Sequence, residues 1–169
     1  CEMVAEVVQN IAGTVKLRSN EADCMYSGIM VDTNNFTAKT GVRTFEAAAF
    51  LRRCGADVTR VRKMFRDGAR EYKAKAETVR SAEIYKNAYA MGICPSEGLD
   101  SPTEIGAQAA NELLGINGIK ASFVVTEYNG KIYISARSID EVNVQIIMER
   151  LGGGGHMNIA GAQLTDTTP

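Results

Sequence analysis

The sequence has few of the residues that build covalent or metal-linked scaffolds. Its four cysteines lie far apart, with no CxxC pair, at Cys1, Cys24, Cys54 and Cys94. This spacing argues against a disulfide framework and against a zinc site. We therefore expect a reducing, cytosolic setting.

Long apolar runs are also absent. No segment approaches the roughly 20 apolar residues of a membrane-spanning helix, and the start has no signal-peptide pattern. With 45% hydrophobic and 23% charged residues among 169, the composition predicts a globular chain of one domain or two small ones. The opening CEMVAEVV has no initiator methionine and is already in a helical pattern. We therefore expect a fragment of a longer protein.

The net charge of -1 hides one basic segment. Residues 52–80 carry ten Lys or Arg against four acidic residues. Such a segment could face nucleic-acid phosphates. A solvated helix face with i,i+4 pairs such as Glu71 with Lys75 explains it as well. Phe65 and Tyr72 are the only aromatic residues among these basic residues, so the pattern favours the solvated helix.

The first half of the chain has helical periodicity. Apolar residues recur at helical spacing from Met3 to Ile11, and residues 21–31 predict a second helix that runs into Asp32. Thr44 is a candidate N-cap for a helix that Gly55 would end. The spacing predicts further helices through to about residue 90.

The second half changes to a mixed pattern. Pro102 fits the first position of a helix that ends at Gly115. Two β-rich runs, KASFVVTEY and KIYISARS, flank Asn129-Gly130, which is a strong signal for a hairpin. VNVQIIMERL predicts an amphipathic helix. The pattern therefore predicts an α/β chain with a domain boundary between residues 80 and 90.

One stretch, LGGGGHMNIAGAQ, combines four glycines with the only histidine. One glycine would serve as a helix C-cap, but four exceed that need and can form a concave nest of amides for an anion. His156 could donate to a phosphate, although a lone histidine is often a packed or surface residue. Alternation in KIYISARS places Ser135 and Arg137 on one strand face. The Arg137 guanidinium suits phosphate oxygens, and a merely solvated arginine is the alternative.

These residues resemble a known family. LGGGGHMNIAGAQ, with ISARS shortly before it, is similar to the signature of the DHH-associated domain, the substrate-binding half of DHH-family phosphoesterases. GIMVDTNNF and RTFEAAAFLRRCGAD resemble the last part of the catalytic DHH domain. Their sequences are most similar to those of bacterial cyclic-di-AMP phosphodiesterases of the GGDEF/DHH type. The resemblance implies an α/β architecture. Residues 1–82 would be a helical remnant of the catalytic domain plus a linker helix, and residues 83–169 a small mixed-sheet domain.

The resemblance also implies a set of site residues. The substrate phosphate would be bound by Ser135, Arg137, Asn143, Gly152, Gly153, Gly154, Gly155 and His156. Asp32 would be the last ligand of a Mn²⁺ pair that activates water in the intact enzyme. The chain lacks an Asp-His-His triplet, so we expect it to bind no metal and to be catalytically inactive alone. From the residues alone, without the resemblance, Asp32 would be interpreted as a turn or helix-end residue.

The implied function is hydrolysis of cyclic di-AMP to a linear dinucleotide. The parent protein would be anchored in the cell membrane, with this part in the cytoplasm and not touching the membrane. The expected partner is a cyclic dinucleotide or a short oligonucleotide, and a homodimer stays open. One alternative is an oligoribonucleotide exonuclease or phosphatase of the same superfamily. The other is a nucleic-acid-binding module like the related domain of alanyl-tRNA synthetases.

Overall fold

A computed structural model describes residues 1–11 and 16–165. The chain divides into two compact units, Cys1–Arg66 and Asp67–Pro169. Each unit has hydrophobic clusters of its own.

The first unit is helical. Its elements are α1 (Glu2–Ile11), α2 (Ser19–Asp32), α3 (Val42–Arg53) and α4 (Val58–Met64). The helices predicted at the start of the chain and before Asp32 are confirmed. Helix α3 begins earlier than predicted, because Gly41 is its N-cap and the Thr44 hydroxyl accepts a hydrogen bond from the Gly41 N–H at 3.1 Å. Gly55, at φ +99°, follows the end of this helix as predicted.

The core of the first unit is built largely from small side chains. Ala5, Ala22 and Ala47 pack with Ile29 and Leu51. A polar link joins α2 to α4 beside this core. The nearly buried Asp23 carboxylate accepts hydrogen bonds from Arg60 Nε at 2.6 Å and from the Asp57 N–H at 2.7 Å. The apolar stripe of α1, in contrast, is largely exposed at Met3, Val4, Val7 and Ile11.

The second unit is a six-stranded mixed sheet with helices on both faces. Its elements are α5 (Ala69–Arg80), β1 (Glu83–Tyr85), β2 (Tyr89–Cys94), α6 (Pro102–Leu113), β3 (Ala121–Tyr128), β4 (Lys131–Ser138), α7 (Val144–Glu149), β5 (Gly154–His156) and β6 (Ile159–Leu164). The strand order is β1-β2-β3-β4-β6-β5. Strands β2 and β3 are parallel and all other neighbours are antiparallel. The predicted α/β class with a mixed sheet is confirmed.

The hairpin predicted at Asn129-Gly130 joins β3 and β4. Both turn residues have positive φ, 51° and 69°, as a type I′ turn requires. Pro102 is the first residue of α6, also as predicted.

The prediction of helices up to about residue 90 is wrong for its last ten residues. Helix α5 stops at Arg80, and residues 83–94 form the β1–β2 hairpin. Its turn uses Lys86 and Asn87 at positive φ in place of a glycine. The buried face of β2 carries Ala90 and Gly92, and such small residues hide the apolar alternation of a half-buried strand.

Helices α5 and α6 belong to one face of the sheet and α7 to the other. On the first face Ala74 of α5 and Ala109 of α6 join Val124 of β3 in one cluster. On the opposite face Val144 and Met148 of α7 pack on sheet alanines. Because α5 packs on α6 and β2, the second unit begins at Asp67, whereas the sequence placed this linker helix in the first domain.

Candidate functional site

An open cleft of about 420 Å³ lies on the α6 face of the sheet. Its floor is formed by β4 and β6, and its edges by the first turn of α6 and the connection from α7 to β5. The side chains and glycines that line it are Thr103, Tyr133, Ser135, Gly152, Gly153, Gly161 and Gln163, together with Ile134 and Ala162.

The strand register places residues of the cleft floor and of the adjoining sheet surface in three rows. Arg137, Gly154 and His156 lie in these rows but outside the lining of the cleft itself. Tyr133 pairs with Gln163 in the first row. In the middle row, Ser135 pairs with Gly161, which pairs with Gly154. In the third row, Arg137 pairs with Ile159, which pairs with His156. Rows two residues apart are separated by about 7 Å along a strand, so the middle row lies between an aromatic end and a cationic end.

The fold itself requires three of the four consecutive glycines. Gly152 has φ +77° and ends α7, donating to the Glu149 carbonyl at 3.0 Å while Gly153 donates to the Met148 carbonyl at 2.9 Å. A Cβ on Gly153 would lie 2.1 Å from the Gly161 carbonyl oxygen, and one on Gly155 would lie 2.5 Å from that of Ile159. These two glycines let β6 approach closely.

Gly154 is the exception in the run. A Cβ there would meet nothing within 4 Å, and its φ lies outside the left-handed region. Its row partner Gly161 lines the cleft and also has no side chain, so half-buried backbone lies beside Ser135. Neither strain nor packing accounts for the glycine at 154, whereas access of a ligand to the backbone would.

Arg137 is half-buried and held in place at the cationic end. Its Nε donates to Asn111 Oδ1 of α6 at 3.1 Å, and its Nη1 donates to the Ala136 carbonyl at 2.9 Å. Burial lowers the pKa of Arg137, but the guanidinium stays protonated. Within residues 1–11 and 16–165 no carboxylate pairs with it. Its charge is therefore available to an anion.

Of the other predicted site residues, His156 lies on the sheet face of the cleft, whereas Asn143 and Asp32 lie elsewhere. His156 is exposed at the end of β5, two strand spacings or about 10 Å across the sheet from Arg137. Asn143 is the N-cap of α7, where its Oδ1 accepts from the Ile146 N–H at 3.4 Å. Since α7 packs on the opposite sheet face, the structure does not bring Asn143 into the cleft. Asp32 is the exposed last residue of α2, in the first unit.

Asp32 does not by itself fit a two-metal site, which needs several carboxylate or imidazole ligands. The described part of the chain contains no group of three or more His, Cys, Asp or Glu residues placed to hold a metal ion. The helices described also include none that is long and apolar enough to cross a bilayer.

Sequence reasoning missed several residues around the cleft. Tyr133 shares a strand face with Ser135 and Arg137, and Gly161 and Gln163 lie in the AGAQ stretch, so a signal for these three existed. Thr103 and Asn111 come from a helix distant in sequence. No local pattern points to them.

Comparisons with known proteins identify the domain that contains this cleft. Residues 88–168 match the DHHA1 domain, which defines the sheet from β2 onward as a domain of that class. The chain is 43% identical to the cyclic-di-AMP phosphodiesterase GdpP of Geobacillus thermodenitrificans and 41% identical to the cyclic-di-AMP phosphodiesterase PdeA of Listeria monocytogenes. Both matches cover 99% of this chain and 25% of the relative. The chain therefore contains a DHHA1 domain at residues 88–168, and its similarity to the two phosphodiesterases extends over nearly its whole length.

A solved structure supports the fold. An exopolyphosphatase-related protein from Bacteroides fragilis matches with a TM-score of 0.86 at 21% identity, over 99% of this chain and 52% of that protein. The chain thus spans about a quarter of the length of the curated relatives and about half of this structural neighbour.

Proposed function

We propose that the chain is the substrate-binding part of a metal-dependent phosphodiesterase that hydrolyses cyclic di-AMP to a linear dinucleotide. The cleft binds a phosphate of the substrate over the bare Gly154–Gly161 row, with Ser135 beside it. Arg137 and His156 contact the phosphate from the cationic end. The observation that carries this proposal is the bare middle row beside a guanidinium that no carboxylate of residues 1–11 and 16–165 pairs with, and the names of the two relatives supply the substrate class.

Binding to Arg137 variants tests the phosphate site. The purified chain is titrated by calorimetry with cyclic di-AMP and with linear diadenylate. We expect Arg137→Ala to weaken both at least tenfold, because a hydrogen bond to a charged group contributes about 1.5–3 kcal/mol. Arg80→Ala is the matched control, because Arg80 is an exposed arginine of the same unit that pairs with Glu77 on α5.

Two results would contradict the phosphate site. Equal weakening by Arg80→Ala and Arg137→Ala would indicate general charge attraction, and a steep salt dependence for RNA in both variants would favour a nucleic-acid-binding module. A chain that binds short oligoribonucleotides or a 3′-phosphorylated nucleotide far more tightly than cyclic di-AMP would favour the sibling enzyme class.

The metal requirement is proposed separately. Mn²⁺ would be held in the intact enzyme, with Asp32 contributing one ligand, and this chain alone would not turn over substrate. Incubation with cyclic di-AMP and Mn²⁺, followed by chromatography of the nucleotides, should show no linear product. Mn²⁺-dependent turnover by the purified chain would overturn this part of the proposal.

A further inference from the structure

We propose that Tyr133 and Gln163 form the nucleobase-recognising end of the cleft and that adenine is the base they fit. This inference rests on the proposed function, because it takes the middle row as the phosphate position. Both residues line the cleft and face each other across β4 and β6. They form the row next to the bare glycines, on the side opposite to Arg137.

The spacing suits a nucleotide. The Tyr133 row lies about 7 Å along β4 from the Ser135 row, and a ribose can bridge a phosphate on one row and a base on the next. The lining of the cleft indicates on which side of the phosphate the rest of the ligand lies. That lining includes Tyr133 and Gln163 but neither Arg137 nor His156, so the larger part of a ligand lies toward the aromatic end.

Tyr133 offers a flat apolar surface at that end. Its half-buried ring lies in the strand pair beside Thr126, whose Oγ1 packs against Gly106 of α6. Helix α6 therefore flanks the ring, and Thr103 of its first turn lines the same cleft. Aromatic side chains in such positions stack on bases of any identity. Stacking on Tyr133 therefore contributes affinity for a nucleobase, and base specificity has to come from another residue.

The side-chain amide of Gln163 can distinguish adenine from guanine. Its side chain is exposed, and within the described ranges it makes no hydrogen bond to another residue. A glutamine amide both donates and accepts, which matches the N6 donor and N7 acceptor of adenine. Guanine presents two acceptors, O6 and N7, on the same edge. One amide therefore pairs completely with adenine and incompletely with guanine.

The test compares three ligands that share a 5′-phosphate: AMP, GMP and ribose 5-phosphate. Dissociation constants are measured for the unmodified chain and for Tyr133→Ala, Tyr133→Phe and Gln163→Leu. We expect Tyr133→Ala to weaken AMP and GMP about tenfold and to leave ribose 5-phosphate within twofold. Tyr133→Phe should keep the affinity for AMP, because it keeps the ring. Gln163→Leu should bring the ratio of AMP to GMP affinity close to one.

The outcomes distinguish a failure of the base site from a failure of the phosphate site. If ribose 5-phosphate binds but AMP binds no tighter, or if Tyr133→Ala weakens all three ligands equally, the base site is wrong and the phosphate site stands. If none of the three binds the unmodified chain, the phosphate site is wrong and the base site falls with it. Thermal unfolding of each variant shows whether the sheet is intact, and the Tyr133→Phe and Gln163→Leu comparisons test the site even where Tyr133→Ala unfolds.

Discussion

Neighbouring glycines in the same run have opposite requirements. We expect Gly153→Ala to destabilise the protein by about 3 kcal/mol or more, because its Cβ would meet the Gly161 carbonyl at 2.1 Å. Gly154→Ala should leave stability unchanged or raise it by about 0.5 kcal/mol, and should weaken binding of cyclic di-AMP because its methyl group lies over the ligand floor. Urea unfolding and calorimetry measure the two effects.

Gly41→Ala is the control for this comparison. Gly41 also has open space where the new methyl group would lie and no left-handed φ, but it belongs to the first unit. Its substitution should leave ligand affinity unchanged. Full affinity in Gly154→Ala, or a fold as stable in Gly153→Ala as in the unmodified chain, would show that the assignment of these glycines is wrong.

Asn111 positions Arg137 without cancelling its charge. We expect Asn111→Ala to weaken binding of cyclic di-AMP a few-fold, because the guanidinium loses one fixed partner. Asn111→Asp should weaken it about tenfold or more, since a carboxylate forms a stronger bond to Arg137 but neutralises the charge that attracts phosphate. Calorimetry at two salt concentrations measures both, with thermal unfolding alongside.

A purely structural role for Asn111 predicts the reverse order. In that case Asn111→Asp, which preserves the acceptor, would retain more affinity than Asn111→Ala. The order of the two variants therefore decides whether Asn111 acts through the charge of Arg137.

At this residue scale the sequence predicts which residue types could bind phosphate, but not how each is used. The glycine run and Arg137 stand out as patterns, whereas the separate tasks of Gly152, Gly153 and Gly154 depend on how closely β6 approaches. The same holds for Asn111, since its contact with Arg137 spans 26 positions. Such contacts exist only once the sheet and α6 are in place.

At the scale of elements, the hydrogen bonds of Asp23 that join α2 to α4 make the stability of the first unit depend on pH. Hydrogen bonds from Arg60 and from the Asp57 N–H lower the pKa of Asp23 in the folded state. The unfolded chain, with a pKa of about 3.9, binds the proton first as the pH falls, so this stabilisation is complete at neutral pH and is lost below about pH 4. We expect Asp23→Asn to be less stable than the unmodified protein at pH 7, with the gap closing in acid.

Chemical unfolding followed by circular dichroism between pH 7 and pH 2.5, in roughly half-unit steps, measures that gap. Glu77→Gln removes an exposed pair with Arg80 and should show little difference at any pH. A constant gap for Asp23→Asn across the range would mean that the Asp23 carboxylate is not the titrating group.

Local chemistry predicts elements best where a turn or cap dictates them. Asn129-Gly130 specifies the β3–β4 hairpin, and Pro102 specifies the start of α6. The β1–β2 hairpin escapes prediction because Lys86-Asn87 is a weaker turn signal, and because strand pairing with β3, rather than local propensity, decides that residues 89–94 are extended.

For the whole molecule, the two compact units predict where the chain can be divided. A polypeptide of residues 67–169 should fold cooperatively, because it contains α5 and both clusters of the sheet domain. A polypeptide of residues 83–169, cut at the boundary expected from the sequence, loses the packing of Ala74 and Thr78 against α6 and β2. We expect it to unfold at a lower temperature or to be only partly folded.

Thermal unfolding by circular dichroism compares the two polypeptides with the full chain. Equal melting temperatures for residues 67–169 and 83–169 would show that α5 does not stabilise the second unit. Loss of cooperative unfolding in both would show that the second unit needs the first.

The two outer strands of the sheet, β1 and β5, are each only three residues long. An exposed strand edge can pair with another molecule and so begin aggregation. A three-residue edge offers few hydrogen bonds to such a partner, and β5 consists of two glycines and a polar residue, which favours extended pairing poorly. The central strands β3 and β4 have neighbours on both sides, whereas β2 beyond Met91 and β6 beyond Gly161 have no strand partner on their outer side in the part of the chain that the structure describes. The two short strands thus cover half of each outer edge, and the bare glycine edge beside the binding cleft offers few hydrogen bonds to another molecule.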